Sequence, residues 1–161
     1  MPNGIGELFI MPSRVAAEPT LDAVERVLGG KGVLGVKPRS ALDWIEMVRE
    51  GIPAAAVEPI LDAVGLSQSE LARALGIPER TLARRKHEGL LNSEESSKLL
   101  RLARVISRAQ QVFDNPAAAV DWLKAPNAGF RGHAPLNLLD TDIGAESVLD
   151  TLGRIEHGVF A

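Results

Sequence analysis

Ser67-Gln68-Ser69-Glu70-Leu71-Ala72-Arg73-Ala74-Leu75-Gly76-Ile77-Pro78-Glu79-Arg80-Thr81-Leu82-Ala83-Arg84-Arg85-Lys86 holds two short helical stretches joined through Gly76-Ile77. Ala72 is small where two helices must cross closely, and Gly76 permits the left-handed backbone of a tight turn. Leu71, Leu75, Ile77 and Leu82 are spaced to form the apolar wedge that fixes the angle between the helices. Gln68 and Ser69, at the start of the first helix, offer side chains and free backbone N–H groups to a phosphate. On the second helix Glu79, Arg80, Thr81 and Arg84 fall on the face away from the wedge. Arginine bonds guanine through two donors and glutamate accepts from cytosine, so this face has the chemistry of base reading. Arg85 and Lys86 complete a basic cluster. Arg85 stands where helix-turn-helix segments usually carry an apolar residue, so its stem is expected to pack while its head reaches phosphate. The same spacing also fits a plain helical hairpin whose arginines form a solvated face.

Charge along the chain separates these two readings better than composition does. The 161 residues carry 18 Lys and Arg against 21 Asp and Glu, a net charge of −3, which by itself speaks against nucleic acid. Residues 67–113 hold 9 basic against 5 acidic side chains, whereas residues 1–66 hold 6 against 9 and residues 114–161 hold 3 against 7. A basic middle between acidic ends marks one segment that meets phosphate and two that do not. With six aromatic residues and no tyrosine, the chain lacks material for a stacking platform on single strands. Double-stranded DNA is therefore the expected nucleic-acid partner.

Outward from the centre the pattern stays helical. Thr20 caps a short helix through Leu21, Val24, Val27 and Leu28 to Gly29-Gly30. Ser40 caps another, with Asp43 in its first turn and Leu42, Ile45 and Val48 as its apolar side. Val57, Ile60, Leu61 and Val64 lie at helical spacing, and Pro59 requires that helix to kink or to begin there. Asn92 and Glu95 form a capping-box pattern before a long helix through Leu99, Leu102, Ala103, Ile106, Ala109 and Phe113. Asp114-Asn115-Pro116 ends it and opens a shorter helix ending near Leu123. A loop follows over residues 125–134, then a helical turn from Pro135 to Leu139. Thr141 caps a last helix with Ile143, Val148, Leu149, Leu152 and Ile155 apolar and Gly158 as its stop. Only Val33 to Val36 has any strand character. The fold class is all-α, in three parts: an N-terminal region 1–50, partly flexible with one or two helices; a helix-turn-helix domain 51–113; and a C-terminal module 114–161.

Several function classes fall away on composition. There is no cysteine, hence no disulfide frame, thiolate metal site or thiol nucleophile. His87, His133 and His157 are too far apart in sequence for the usual ligand spacing, so no metal is expected. No nucleophile is paired with a base and no glycine loop cradles a phosphate, so neither an enzyme nor a cofactor is expected. The longest apolar runs are a few residues, against roughly 18 to 20 for a membrane span, and Met1-Pro2-Asn3-Gly4 does not resemble a secretory leader. A cytoplasmic protein is expected, and a dimer or higher oligomer, because one helix-turn-helix covers a half-site only.

From about Gly51 onward the chain resembles antitoxins of the Xre/MbcA/ParS type, the partners of RES-domain toxins. Gly76-Ile77-Pro78, Arg80-Thr81-Leu82-Ala83-Arg84-Arg85 and Ser97-Lys98-Leu99-Leu100-Arg101-Leu102-Ala103-Arg104-Val105 carry the resemblance in the middle. Trp122-Leu123, Pro126-Asn127, Gly132, Pro135-Leu136, Leu138-Leu139, Thr141, Gly144 and the terminal Gly153-Arg154-Ile155-Glu156-His157-Gly158-Val159 carry it afterwards. Helix-turn-helix segments are common, whereas the C-terminal set is specific to the group. The chain departs from the family at Arg131, where a glycine is frequent, and at Ala125, where a threonine is frequent. The resemblance implies a bifunctional protein that represses its own operon through the middle and neutralises a RES-type, NAD-consuming toxin of a type II pair through residues 114–161. Asn127, Arg131, His133, Arg154, His157, Val159 and Phe160 are its candidate toxin contacts.

Several residues of this C-terminal set also have a reading internal to the fold. Trp122 is expected in the core, since an indole buries large apolar area. Gly153 inside a helix costs about 1 kcal/mol against alanine and is tolerated where it allows a close approach. Arg154 and Glu156 fit solvated positions, His157 can face the negative end of the helix dipole, and Val159 with Phe160 can fold back as an apolar clasp after the glycine stop. A stand-alone transcriptional regulator, whose C-terminal module dimerises or senses a ligand, is the alternative that the same residues allow.

Overall fold

The computed structural model describes residues 20–158. The readings made for residues 1–19 and for Val159 and Phe160 lie outside them. Among the described residues the chain is all helix and turn, without a strand. The α-helices of the described residues run as α1 Leu21–Val27, α2 Lys31–Leu34, α3 Ala41–Glu50, α4 Val57–Val64, α5 Gln68–Leu75, α6 Glu79–Glu88, α7 Ser93–Phe113, α8 Pro116–Lys124 and α9 Asp142–Glu156. Short 3-10 turns occupy Ala54–Ala56, Ala128–Phe130 and Pro135–Leu138.

The long helix α7 is the axis, and α1, α3, α5, α8 and α9 all pack on it. Leu99, Leu102, Ala103, Val105, Ile106 and Ala109 are buried on α7. They cover more than one side of it, as a helix with neighbours all round requires. Its start is local chemistry: the Asn92 side chain accepts from Glu95 N–H while the Glu95 carboxylate accepts from Asn92 N–H, both at 2.8 Å. Its end is Asp114, whose φ of 48° turns the chain left-handed before Asn115 caps α8 and Pro116 occupies the first turn. Beside α7 the chain crosses itself tightly. Ile52 N–H donates to the buried Ser96 hydroxyl at 2.8 Å and Leu91 N–H to the Ile52 carbonyl at 3.0 Å. At Gly51, with φ of 109°, a Cβ would lie 2.4 Å from the Leu91 carbonyl oxygen, so only glycine fits.

Three local expectations change. Val33 to Val36 is not extended: Lys31–Leu34 forms one helical turn that ends at Gly35 in the left-handed region. On α3 the buried pair is Trp44 and Met47, whereas Leu42 is 70% and Ile45 44% exposed and Val48 is half-buried. Apolar residues occupy both sides of this helix, and the side with the larger area to bury faces α7. On α9, Ile143 is 77% exposed because Ala145, Val148 and Leu152 define the inner stripe and Ile143 lies about 200° round from Ala145. Pro59 falls in the first turn of α4, where its missing N–H breaks no helical bond.

Candidate functional site

Two surfaces matter, and both grow from caps and turns that the local sequence dictates. At the first, Ser67 and Glu70 close a capping box that starts α5, and Gly76 at φ 67° ends it. Ile77 N–H returns to the Ala72 carbonyl at 3.0 Å, which fixes the turn into α6. Leu71, Leu75, Ile77 and Leu82 are all buried, as is Ala72 at the crossing, so the wedge reading holds. This arrangement leaves Gln68, Ser69, Glu79, Arg80 and Arg84 exposed and Thr81 half-buried. Arg84 Nε lies 3.5 Å from Glu88 one turn on, a loose surface pair that a phosphate or base could displace. Arg80 has no ion pair among the described residues.

Arg85 and Lys86 are placed otherwise. Arg85 is half-buried, and its head does not lie open for phosphate. Nε donates to Glu95 at 2.8 Å and one terminal nitrogen to Glu88 at 2.9 Å. The two carboxylates hold its guanidinium above the ordinary arginine range, the bond to Glu88 contributing most. Lys86 forms an ion pair with Glu58 of α4. A charge that already has a carboxylate partner within the fold has less to gain from a phosphate. The exposed cations of this helix are therefore Arg80 and Arg84.

The second surface is the C-terminal module. Asn127 starts the 3-10 turn Ala128–Phe130, its side-chain oxygen accepting from Gly129 N–H at 2.8 Å. Its own N–H donates to the His133 carbonyl at 3.1 Å, and Gly132 N–H donates to the Asn127 carbonyl at 2.9 Å. Residues 127–133 thus close on themselves, and Arg131, at φ 55°, and His133 are exposed on the loop. Phe113 and Phe130 flank Trp122 with ring centroids at 5.7 Å and 6.4 Å. Trp122 is half-buried against the core rather than inside it. Arg154 and His157 are exposed at the far end of α9. No hydrogen bond or ion pair joins them to the 127–133 loop among the described residues. Gly153 is buried on α9.

The side chains that join these surfaces went unnoticed in the sequence. Arg101 Nε donates to the Leu139 carbonyl at 3.2 Å and pairs with Asp142. The buried Arg108 pairs with Glu156 at the end of α9, so Glu156 is not merely solvated. Lys124 of α8 donates to the Gly65 carbonyl at 2.8 Å, and Lys98 to the Gly76 carbonyl at 3.2 Å. A Cβ on Gly76 would sit 3.3 Å from Asp140 Cβ. The α5–α6 turn thus lies directly against the module. The one available signal was basic residues every three to four positions along α7.

The chain matches two family models. Residues 43–104 match the antitoxin Xre-like helix-turn-helix domain. Residues 108–158 match the antitoxin Xre/MbcA/ParS C-terminal toxin-binding domain. It is 34% identical over 119 residues to an antitoxin Xre of Yersinia enterocolitica serotype O:8 / biotype 1B, covering 73% of this chain and 80% of the relative. Against an antitoxin Xre of Photorhabdus laumondii it is 32% identical over 117 residues, covering 71% and 79%. A Prs ADP-ribosylating antitoxin of Sphingobium sp. is 26% identical over 132 residues, covering 76% and 83%.

Proposed function

This chain belongs to the Xre antitoxins, a family with a helix-turn-helix and a toxin-binding domain, and we propose that it is the antitoxin of a type II pair that acts in two ways. It neutralises a RES-type, NAD-consuming toxin by direct contact, and it represses its own operon by binding an operator as a dimer. The observation that carries this reading is the separation of two exposed sets on one body. Glu79, Arg80 and Arg84 are exposed on α6 with Thr81 half-buried beside them, backed by Gln68 and Ser69 at the start of α5, and Arg131, His133, Arg154 and His157 are exposed on the module. Base reading requires the first set, since arginine donors match guanine and a helix start binds phosphate. The second set, with Asn127 in the loop and Val159 and Phe160 beyond it, is assigned to the toxin. Arg85 and Lys86, each paired with carboxylates of the fold, hold α6 in place rather than contact DNA.

The test joins three measurements on the same proteins: NAD content and growth of cells that express the adjacent reading frame, co-purification of its product, and titration of promoter DNA. Protection, a stable complex and salt-dependent binding to an inverted repeat support the reading. A variant without Val159 to Ala161 that stays folded and binds promoter but no longer protects assigns neutralisation to the terminus. Full protection by that variant moves the contact to the 127–133 loop. Promoter binding with no toxic neighbour makes the protein a stand-alone regulator instead.

A further inference from the structure

Among the described residues Arg108 is the one arginine or lysine that the fold buries, at 2% exposure. Its guanidinium pairs with the carboxylate of Glu156, the last residue of α9. Ala145, Val148 and Leu152 form the inner stripe of α9, and Glu156 takes the next place on it, one turn beyond Leu152. Helical spacing would put another apolar side chain there. Past Gly153 no residue of α9 is buried, and no other hydrogen bond or ion pair joins its last turn to another element among the described residues. The second charged pair between α7 and α9 differs. Arg101 meets Asp142 at the start of α9, where Asp142 is 85% exposed and water screens the attraction.

We propose that Arg108 is a positioning residue for the toxin contact. By holding Glu156 it fixes the last turn of α9 at the angle that presents Arg154 and His157, and with it the point where the chain leaves the helix. The inference rests on the toxin-binding reading above and deepens it. Two observations favour positioning over plain stabilisation. The pair stands beyond the last buried residues of α9, Leu152 and Gly153, so the core is already closed without it. The segment that matches the toxin-binding domain runs over residues 108–158, so the pair joins its two ends. An apolar pair of like size would hold the helices together about as firmly, because taking two charges out of water offsets their attraction. What the charge pair adds is one direction and one register. A loose helix end must be ordered when a partner binds, and each residue fixed then costs conformational entropy. A turn fixed beforehand removes that cost from the binding step.

The deciding variant is the full chain with Arg108→Met and Glu156→Leu together, an apolar pair in place of the charged one. Three quantities are measured on it: melting temperature, promoter affinity, and affinity for the purified product of the adjacent reading frame. The first two should stay at wild-type values. Affinity for the toxin should fall by about 10- to 100-fold, the cost of ordering one or two residues during binding. Adding Arg154→Ala should then cost less affinity in this background than in wild type, because a side chain on a loose turn is no longer aimed at its contact. If the paired replacement does not fold, Arg108→Met alone, which lets Glu156 turn to water, carries the same test. A folded variant that binds the toxin as wild type does overturns the proposal and leaves the antitoxin reading standing. Parallel loss of melting temperature, promoter binding and toxin binding makes the pair a structural one and overturns it equally. A wild type that binds promoter but not the neighbouring product refutes the toxin-binding reading, and this inference with it.

Discussion

Arg85 Nε and the backbone N–H of Asn92 donate to the same carboxylate oxygen of Glu95, each at 2.8 Å. One buried side chain therefore caps the start of α7 and holds the back of α6, the second helix of the helix-turn-helix, so the angle of α6 is tied to the first turn of the central helix.

It follows that Arg85→Ala leaves Glu95 buried without its charged partner. Its melting temperature should fall by several degrees, whereas Arg84→Ala, which loosens only an exposed pair, should melt with wild type. Operator affinity of Arg85→Ala, measured well below its melting temperature, should fall less than that of Arg80→Ala. A larger loss than Arg80→Ala at equal foldedness would show that the Arg85 head reaches phosphate after all.

Arg80→Ala and Arg84→Ala should each weaken operator binding by about 1 to 3 kcal/mol and relax base preference. Lys98→Ala should change it less, because Lys98 is engaged with Gly76 and Glu94. Titration of labelled promoter at fixed salt, on wild-type and base-substituted sites, measures both effects.

Gly76→Ala places a side chain at φ 67° and 3.3 Å from Asp140. The left-handed backbone alone should cost about 1 to 2 kcal/mol, and contact with Asp140 adds to it. Urea denaturation should show the loss, and because the turn touches the module, promoter binding and toxin binding should weaken together near the unfolding transition.

Arg154→Glu should impair protection against the toxin while promoter affinity and melting temperature remain at wild-type values, since this residue is exposed and has no ion pair among the described residues. Cellular NAD content in the presence of the toxin is the readout. Protection equal to wild type would exclude the end of α9 from the contact.

What could be read from sequence was local. Asn92 with Glu95, Thr141 before its helix, and Gly76 and Gly158 each act within a few residues of themselves, so spacing alone places these helix ends, and the Ser67–Glu70 box that went unread obeys the same local rule. The wedge of Leu71, Leu75, Ile77 and Leu82 was equally legible, since two short helices and a turn leave little choice of partner. The side of α3 was not. Leu42 with Ile45 and Trp44 with Met47 have the same spacing, and only the position of α7 chooses between them. The destination of Arg85 was hidden for the same reason. Its partners lie 3 and 10 residues away, and a helical wheel shows the first as a surface pair and the second not at all. Lys86 with Glu58 and Arg108 with Glu156 span 28 and 48 positions, beyond any pattern a single chain displays.

Lys124 on Gly65, Arg101 on Leu139 and the bare α-carbon of Gly76 against Asp140 tie the helix-turn-helix to the C-terminal module at three points, with no free joint between them among the described residues. Under the proposed function, a toxin seated on the module would be held at a fixed bearing from α6, as cargo bolted to a frame, so its bulk rather than a movement of the helix-turn-helix would decide how two loaded copies fit side by side on DNA.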